Sequence, residues 1–328
     1  MSYIYRKAMP KDVRPALDLA LKVFMEFDAP DYGTEHTKRM QLSIEDRINN
    51  FDDYLLDERL MFVALDNKKI VGMIETYGKS YQKNRVALMF VDSNYQRQGI
   101  ATELINRTIC ELKMSGYDKI MLNSSPNGLP FYTHYGFIPA VTEKNINTPW
   151  KTPMGYIPNE IWDVYDENRN LTGRYIERGR PRWQKGNYHL VVHVWKRNAK
   201  GEWLIDRRTS RKTDNLGGLW ETTGGSAVAG DSSLDAALRE AKEELGLALL
   251  PESGRLFHSY INKGFNGYTG FIDVWVFDCD CSLADVVLQE SETCDVMWAS
   301  GDKIKEMIEN GEFIGYGIYP YLDKLLGI

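Results

Sequence analysis

The chain has 328 residues, 43% hydrophobic and 26% charged, which suggests two domains of ordinary soluble composition, each long enough to bury its own core. The net charge of −6 divides into +1 for residues 1–157 and −7 for residues 158–328, so neither half is basic enough for non-specific nucleic-acid binding. No uncharged stretch of ~18 apolar residues points to a membrane span, Met1–Pro10 lacks a signal-peptide core, and Cys110, Cys279, Cys281 and Cys294 form no CxxC pair, so they read as reduced thiols of a cytoplasmic protein.

In chain order, Tyr3–Arg6 reads as a short strand. Pro10–Phe27 has helical spacing, with Val13, Ala16, Leu17, Ala20, Leu21 and Phe24 on one stripe. Leu60–Leu65 and Ile70–Thr76 form a hairpin about the turn Asp66-Asn67-Lys68. Val86–Val91 is a continuous apolar run, hence a buried strand. Gly99–Met114 is an amphipathic helix opening on glycine, and Lys119–Asn123 another short strand. Pro139, Pro149, Pro153, Gly155 and Pro158 then punctuate the chain, which places a domain boundary at 157/158. Beyond it, Ile161–Tyr165 and Leu171–Glu177 read as one hairpin, and His189–Trp195 and Trp203–Asp206 as another. Ser232–Leu245 is a strong helix closed by Gly246. Phe271–Phe277 is a strand and Asp302–Asn310 a last short helix.

The chemistry of the second half lies on the 232–245 helix. At ~100° per residue, Glu243 and Glu244 fall about 60° and 40° to either side of Glu240. Three carboxylates therefore share one face, which is destabilising unless compensated. Arg239 compensates in part. A hard cation such as Mg²⁺ or Mn²⁺ would compensate further, because it prefers carboxylate oxygens. The stretch from Gly225 to Leu247 resembles the Nudix box, G-x5-E-x7-R-E-U-x-E-E-x-G-U with U aliphatic. Gly225, Arg239, Glu240, Glu243, Glu244, Gly246 and Leu247 match it, and Asp231 stands where the family usually has Glu. The resemblance implies that Glu240, Glu243 and Glu244 hold the metal, that Glu240 and Glu244 are catalytic, and that Arg239 positions a glutamate. The substrate it implies is a nucleotide-type diphosphate. Glu290 and Glu292 are the nearest candidates for a base outside the box. His189 and His193 share a strand face; contact with substrate or metal is one reading, and packing is the favoured one. Trp220 is open to base stacking or a core role. Residues 161–195 also look like the branch that includes isopentenyl-diphosphate isomerase, but Leu216–Asp231 lacks the cysteine acid of that enzyme.

In the first half, Val86–Val91 leads into Gln96-Arg97-Gln98-Gly99-Ile100-Ala101. A glycine turn at a helix start presents unpaired N–H groups and the positive end of the helix dipole, which suits a pyrophosphate. Gln96-x-x-Gly99-x-Ala101 is similar to the Q/R-x-x-G-x-G/A pattern of the GNAT acetyltransferases. Asn123-Ser124-Ser125-Pro126, Phe131-Tyr132-Thr133-His134-Tyr135-Gly136-Phe137 and Thr152-Pro153-Met154 resemble later segments of that family. The resemblance implies acetyl-CoA held by Val91, Gln96, Arg97, Gln98, Gly99, Ala101 and Asn123. It makes Tyr132 the acid that protonates the leaving thiolate, and the acceptor an amine. Arg85 stands near the position of the glutamate base of some members. Glu75 is a possible substitute, with a structural role the favoured reading.

The expected architecture is α/β (α+β): a GNAT mixed-sheet acyltransferase fold over 1–157, then a Nudix α/β/α sandwich over 158–328. The expected function is that of a bifunctional hydrolase and N-acetyltransferase. Two alternatives stay open, a hydrolase with a CoA-binding sensor domain and an acetyltransferase regulated by a ligand-binding Nudix module. Specificity is assigned to the 28–37 and 262–269 loops, which carry no readable code.

Overall fold

The computed structural model of the chain describes residues 3–50, 58–78, 82–140, 151–179, 186–210, 216–265 and 268–327. It divides into two compact units, Met1–Ile161 and Trp162–Ile328. Pro149 of the proline-rich patch lies outside the described residues, as do residues 266 and 267 of the 262–269 loop.

The first unit is built from β1 (Ile4–Lys7), α1 (Pro10–Val23), α2 (Ala29–Asn49), β2 (Met61–Asp66), β3 (Lys69–Thr76), β4 (Arg85–Val91), α3 (Ile100–Met114), β5 (Ile120–Ser124), α4 (Leu129–Tyr135), β6 (Ile138–Pro139) and β7 (Thr152–Tyr156). Its sheet runs β1-β2-β3-β4-β5-β7-β6. Neighbours are antiparallel except β4 and β5, which are parallel. Side chains alternate across a strand, so β2 sends Met61, Val63 and Leu65 to one core and Phe62 and Ala64 to the other. The first core holds Val13, Ala16, Leu17 and Ala20 of α1; the second holds Ile100, Leu104, Ile105 and Ile109 of α3. Burial on both faces is why β2 reads as an unbroken apolar run. The ladder between β4 and β5 runs through Arg85–Met121 and Val86–Leu122. Among the described residues it goes no further, so the later part of β4 diverges from β5 on its way to Val91.

The helix predicted for Pro10–Phe27 ends at Val23. A π-helical turn, Phe24–Asp28, follows, and then the 21-residue α2, which occupies most of the segment expected to be a specificity loop. Pro30 lies in the first turn of α2, where a missing N–H costs little. Gly33 interrupts the helix at φ +69°, and the break hides its periodicity.

The second unit contains β8 (Ile161–Tyr165), β9 (Leu171–Glu177), β10 (His189–Arg197), β11 (Trp203–Arg208), β12 (Trp220–Glu221), β13 (Thr223–Ser226), α5 (Ser233–Leu245), β14 (Gly254–Phe265), β15 (Tyr268–Asp278), β16 (Thr293–Ala299), α6 (Gly301–Glu309) and α7 (Leu322–Leu326). The main sheet runs β12-β11-β10-β15-β14, with β13 on β10 and β16 on β11. The expected β10–β11 hairpin pairs through Lys196–Leu204 and Arg197–Trp203, and β13 then takes Val191–Val194. Leu190, Val192 and Val194 pack on Ala236, Ala237 and Ala241 of α5. On the other face, Trp195 packs with Ile304, Met307, Phe313, Tyr319 and Leu322. A helix layer on each face makes this an α/β/α sandwich. The β8–β9 turn carries Arg169, whose guanidinium forks onto the buried Asp273 of β15 and donates to Ser259 Oγ at 2.8 Å, tying that hairpin to the sheet.

His189 and His193 are packing residues here. His189 stacks on Trp162 (4.7 Å between ring centroids) and donates from Nδ1 to the Thr269 carbonyl at 3.2 Å. Tyr321 Oη accepts from the Trp195 indole N–H at 3.1 Å, leaving its own proton for His193 Nδ1 at 2.8 Å. Burial lowers His189 to about 4 and His193 to about 3, from an ordinary 6.5. Both imidazoles are neutral in the fold. In the unfolded chain they take up protons below pH ~6.5. Stability from this source is therefore full above that pH and falls as pH drops toward the folded values. The expected loss is about 2 kcal/mol per histidine at pH 5. Urea unfolding at pH 7 and pH 5, followed by tryptophan fluorescence, measures it. The doubly substituted His189→Gln/His193→Gln chain should lose less on acidification than the wild type, and an equal loss would refute the assignment.

Candidate functional site

The acidic helix is defined at both ends. Ser232 Oγ accepts the Asp235 N–H at 3.2 Å and Asp235 Oδ2 accepts the Ser232 N–H at 3.1 Å, a reciprocal cap. Gly246, at φ +69°, ends α5 in the left-handed region. Between these ends Glu240 and Glu244 are buried, each 8% exposed, and Glu243 is exposed. Gly225 on β13 permits this: a Cβ there would come within 2.3 Å of Glu240 Cδ. Arg239 organises the group. Its Nε lies 3.0 Å from Asp231 Oδ2, its Nη1 3.0 Å from both Glu240 Oε1 and Glu243 Oε2, and its Nη2 donates to the Ser226 carbonyl at 3.0 Å. The shorter carboxylate of Asp231 thus still reaches the arginine.

Among the described residues no three carboxylate, imidazole or thiol side chains form a ready-made metal cluster. Arg239 draws Asp231, Glu240 and Glu243 toward itself instead. The donor chemistry nevertheless fits a hard divalent cation. Asp231, Glu240 and Glu243 surround this one guanidinium, Glu244 follows Glu243 on the same helix, and all four offer the oxygen donors such a cation prefers. On the sheet side, the fully buried Lys196 feels the charge of Glu244, and its Nζ donates to Thr223 Oγ1 at 2.5 Å and lies 3.7 Å from Asp206 Oδ1. The turn before β16 docks here as well: the Gln289 N–H donates to the Glu244 carbonyl at 3.0 Å, and the Glu292 carbonyl accepts the Thr209 N–H at 2.9 Å. Glu290 on that turn is exposed and Glu292 half-buried. Trp220 is half-buried against the second core, with Arg207 over its ring at 6.0 Å.

In the first unit the strand–turn–helix brings Val91, Gln96, Arg97, Gln98, Gly99 and Ala101 together. Val91 is buried at the end of β4, and its carbonyl accepts from Gln96 Nε2 at 3.3 Å. Arg97 and Gly99 are both left-handed, at φ +60° and +83°. Gly99 is the N-cap of α3, so the turn delivers the first N–H groups of that helix to its open end. Gln96, Arg97 and Gln98 are exposed there. Asn123 is exposed on β5, and its Oδ1 accepts from Arg85 Nη1 at 3.1 Å. Tyr132 is buried on α4; burial, with the nearby Asp28 carboxylate, raises its phenol pKa and keeps it protonated. Tyr135 packs, donating to Asn106 Oδ1 at 2.6 Å, and His134 is exposed. Glu75 is structural: it is fully buried, with Arg47 Nη1 at 3.0 Å and Arg59 Nη1 at 2.8 Å on Oε1.

Residues 187–322 match the family model of the NUDIX domain, and residues 28–157 that of the acetyltransferase (GNAT) domain. The uncharacterized Nudix hydrolase lin0387 of Listeria innocua is 38% identical over 167 residues, which are 51% of this chain and 95% of that protein. The chain belongs to the Nudix hydrolase family. Its amino-terminal half is a GNAT acetyltransferase domain, as the order of the two matches requires. Among solved structures, DR0079 of Deinococcus radiodurans is similar to this chain at 20% identity and TM-score 0.42, over 50% of this chain and 98% of that one. A GCN5-related N-acetyltransferase of Rhodopseudomonas palustris covers 48% of this chain and 96% of its own, at 18% identity and TM-score 0.40. No helix among the described residues is long and apolar enough to cross a membrane. In this Nudix chain the sequence reading missed Lys196. Lys196 had a signal, as a charge that directly follows the apolar run Leu190–Trp195 on the same strand.

Proposed function

We propose a bifunctional enzyme: a divalent-metal-dependent hydrolase of nucleoside-diphosphate-linked substrates in the Nudix half and an acetyl-CoA-dependent N-acetyltransferase of an amine in the GNAT half. The observation that carries the hydrolase reading is the carboxylate set gathered on α5 around Arg239. Glu240, Glu243 and Glu244 would hold Mg²⁺ or Mn²⁺. Such a cation, when bound, supplies charge neutralisation for the diphosphate and polarisation of phosphorus. Arg239 keeps Glu240 and Glu243 oriented, and the packing of Glu240 against Gly225 fixes its rotamer. The acetyltransferase reading rests on the Gln96–Ala101 turn, whose N–H groups suit a pyrophosphate, and on the protonated Tyr132 as general acid.

Hydrolysis of a nucleotide and nucleotide-sugar panel, with Mg²⁺ and with chelator, tests the first activity; turnover insensitive to chelator would exclude it. Release of CoA thiol from acetyl-CoA with an amine panel tests the second. Tyr132→Phe should lower its kcat by ~10²-fold, in the range of a general acid, and leave acetyl-CoA binding unchanged. An unaltered kcat would remove Tyr132 from the mechanism.

A further inference from the structure

We infer that Arg85 selects the acetyl acceptor by a carboxylate, so that the amine acetylated is an amino carboxylate. This deepens the acetyltransferase reading and rests on it. The starting observation is where the sheet opens. The parallel ladder of β4 and β5 consists of Arg85–Met121 and Val86–Leu122 and, among the described residues, stops there. β5 continues to Ser124, paired on its other side with β7 through Asn123–Pro153 and Ser124–Thr152. A gap therefore runs between the strands from Arg85 to Val91, whose carbonyl accepts from Gln96 of the 96–101 turn. From Val86 to Val91 the strand covers about 17 Å. The pantetheine arm of CoA is an amide-bonded chain as long as roughly four to five residues, about 16 Å when extended. A cofactor with its pyrophosphate on the turn thus places its thioester at the closed end of the gap. Tyr132 borders that end too: a Cβ on Gly128 would lie 3.2 Å from Tyr132 Cε2 and 3.1 Å from Ser124 Oγ, so the ring and the end of β5 meet the same glycine.

Arg85 stands at this closed end as a half-buried cation among neutral groups. Its Nε donates to Gln82 Oε1 at 3.1 Å and its Nη1 to Asn123 Oδ1 at 3.1 Å, and its Nη2 lies 3.9 Å from Met121 Sδ. These contacts orient the guanidinium and leave N–H donors on both Nη1 and Nη2. Arg6, Arg47, Arg59 and Arg107 of the same unit each meet a carboxylate; among the described residues, Arg85 has none within ion-pair range. Asn123 is exposed, so this end is open to an incoming molecule. A guanidinium without a counter-charge favours an anion, and a planar fork with donors on both terminal nitrogens suits the two oxygens of a carboxylate. A phosphate monoester would bring about two negative charges to the one cation. An amine without an anionic group gains nothing from Arg85, and a diamine is repelled by it.

The reaction balances without a proton from Arg85. The neutral amine nitrogen bonds to the acetyl carbon as the carbon–sulfur bond breaks, and the departing thiolate takes the Tyr132 phenol proton. The proton shed by the nitrogen passes through solvent to restore the phenol. The products are an N-acetylamino carboxylate and CoA thiol.

The test measures acetyl-CoA turnover by the full-length chain with acceptor pairs that differ in one charge: glycine and glycinamide, 4-aminobutanoate and 4-aminobutanamide, alanylalanine and its amide. The CoA-saturated chain is titrated with the same acids by calorimetry. Wild type should prefer the acid of at least one pair. Arg85→Gln should lower that acid-to-amide ratio of kcat/KM ten-fold or more, through the KM of the acid, and Arg85→Lys should recover part of it. A preference carried by glycine or 4-aminobutanoate supports the inference for a free amino acid, and one carried by alanylalanine supports it for a peptide terminus. Acid binding that is lost in Arg85→Gln, without turnover, would support the inference while removing the acetyltransferase reading. An equal ratio in wild type and Arg85→Gln would overturn the inference and leave that reading in place, with Arg85 a tether between β4 and β5. Wild-type preference for the amide in every pair, or neither binding nor turnover of any acid, would overturn it without recourse to a variant.

Discussion

Glu244→Gln is expected to lower metal-dependent hydrolysis by ~10²-fold or more, about 2.7 kcal/mol of barrier, with acetyl-CoA binding unchanged. The substitution is nearly isosteric and removes only the charge. Glu244 is the buried carboxylate at the end of α5 where the turn before β16 docks, and the main-chain bond from Gln289 is untouched by the change. The backbone of the site should therefore persist, and a loss of activity would report the charge. Steady-state hydrolysis with Mg²⁺ titrated at each substrate concentration separates weaker metal binding from slower chemistry. Wild-type activity in the variant would remove Glu244 from the metal site.

How much of this was legible depends on whether the determining contacts are local. The box helix was readable to within a residue at each end because its cap, its glycine stop and its carboxylate stripe all lie within one segment, Ser232 to Gly246. The Gly99 turn was readable for the same reason. Long-range contacts were not. The sequence around Asp28 suggests a loop, since Pro30 and Gly33 break the periodicity, and only the structure shows α2 running through them. Nothing near Glu75 in sequence announces Arg47 and Arg59, which come from 28 and 16 residues away and occupy it. The strand pairing that divides β10 between β11 and β13 is likewise a tertiary choice, because either partner satisfies the apolar alternation of Leu190–Trp195. His189 and His193 pack as neutral rings because a histidine on a strand face against aromatic side chains is more easily buried neutral than charged.

Lys196→Met is expected to destabilise the Nudix half by about 3–5 kcal/mol, the cost of breaking a buried ion pair from one side. The methionine fills nearly the same space, so packing against α5 changes little and the charge is what is removed. In the wild-type chain Lys196 is fully enclosed. Its Nζ donates to Thr223 Oγ1, Thr223 Oγ1 donates to Asp206 Oδ1 at 2.8 Å, and the ammonium sits 3.7 Å from that carboxylate. Burial lowers the pKa of the lysine, and Asp206, then Glu244, act against that shift. Without Lys196, the buried Asp206 carboxylate loses its neighbouring ammonium, and Glu244 loses the cation on its sheet side. Replacing both members of the pair, as Lys196→Met/Asp206→Leu, should recover much of the lost stability, because neither charge of that pair is then buried without the other. Urea denaturation of the wild-type, single and double variants measures both statements. A single-variant loss below about 1 kcal/mol would mean that the pair is no better than an exposed one, and a double variant as unstable as the single one would place the cost in packing instead of charge.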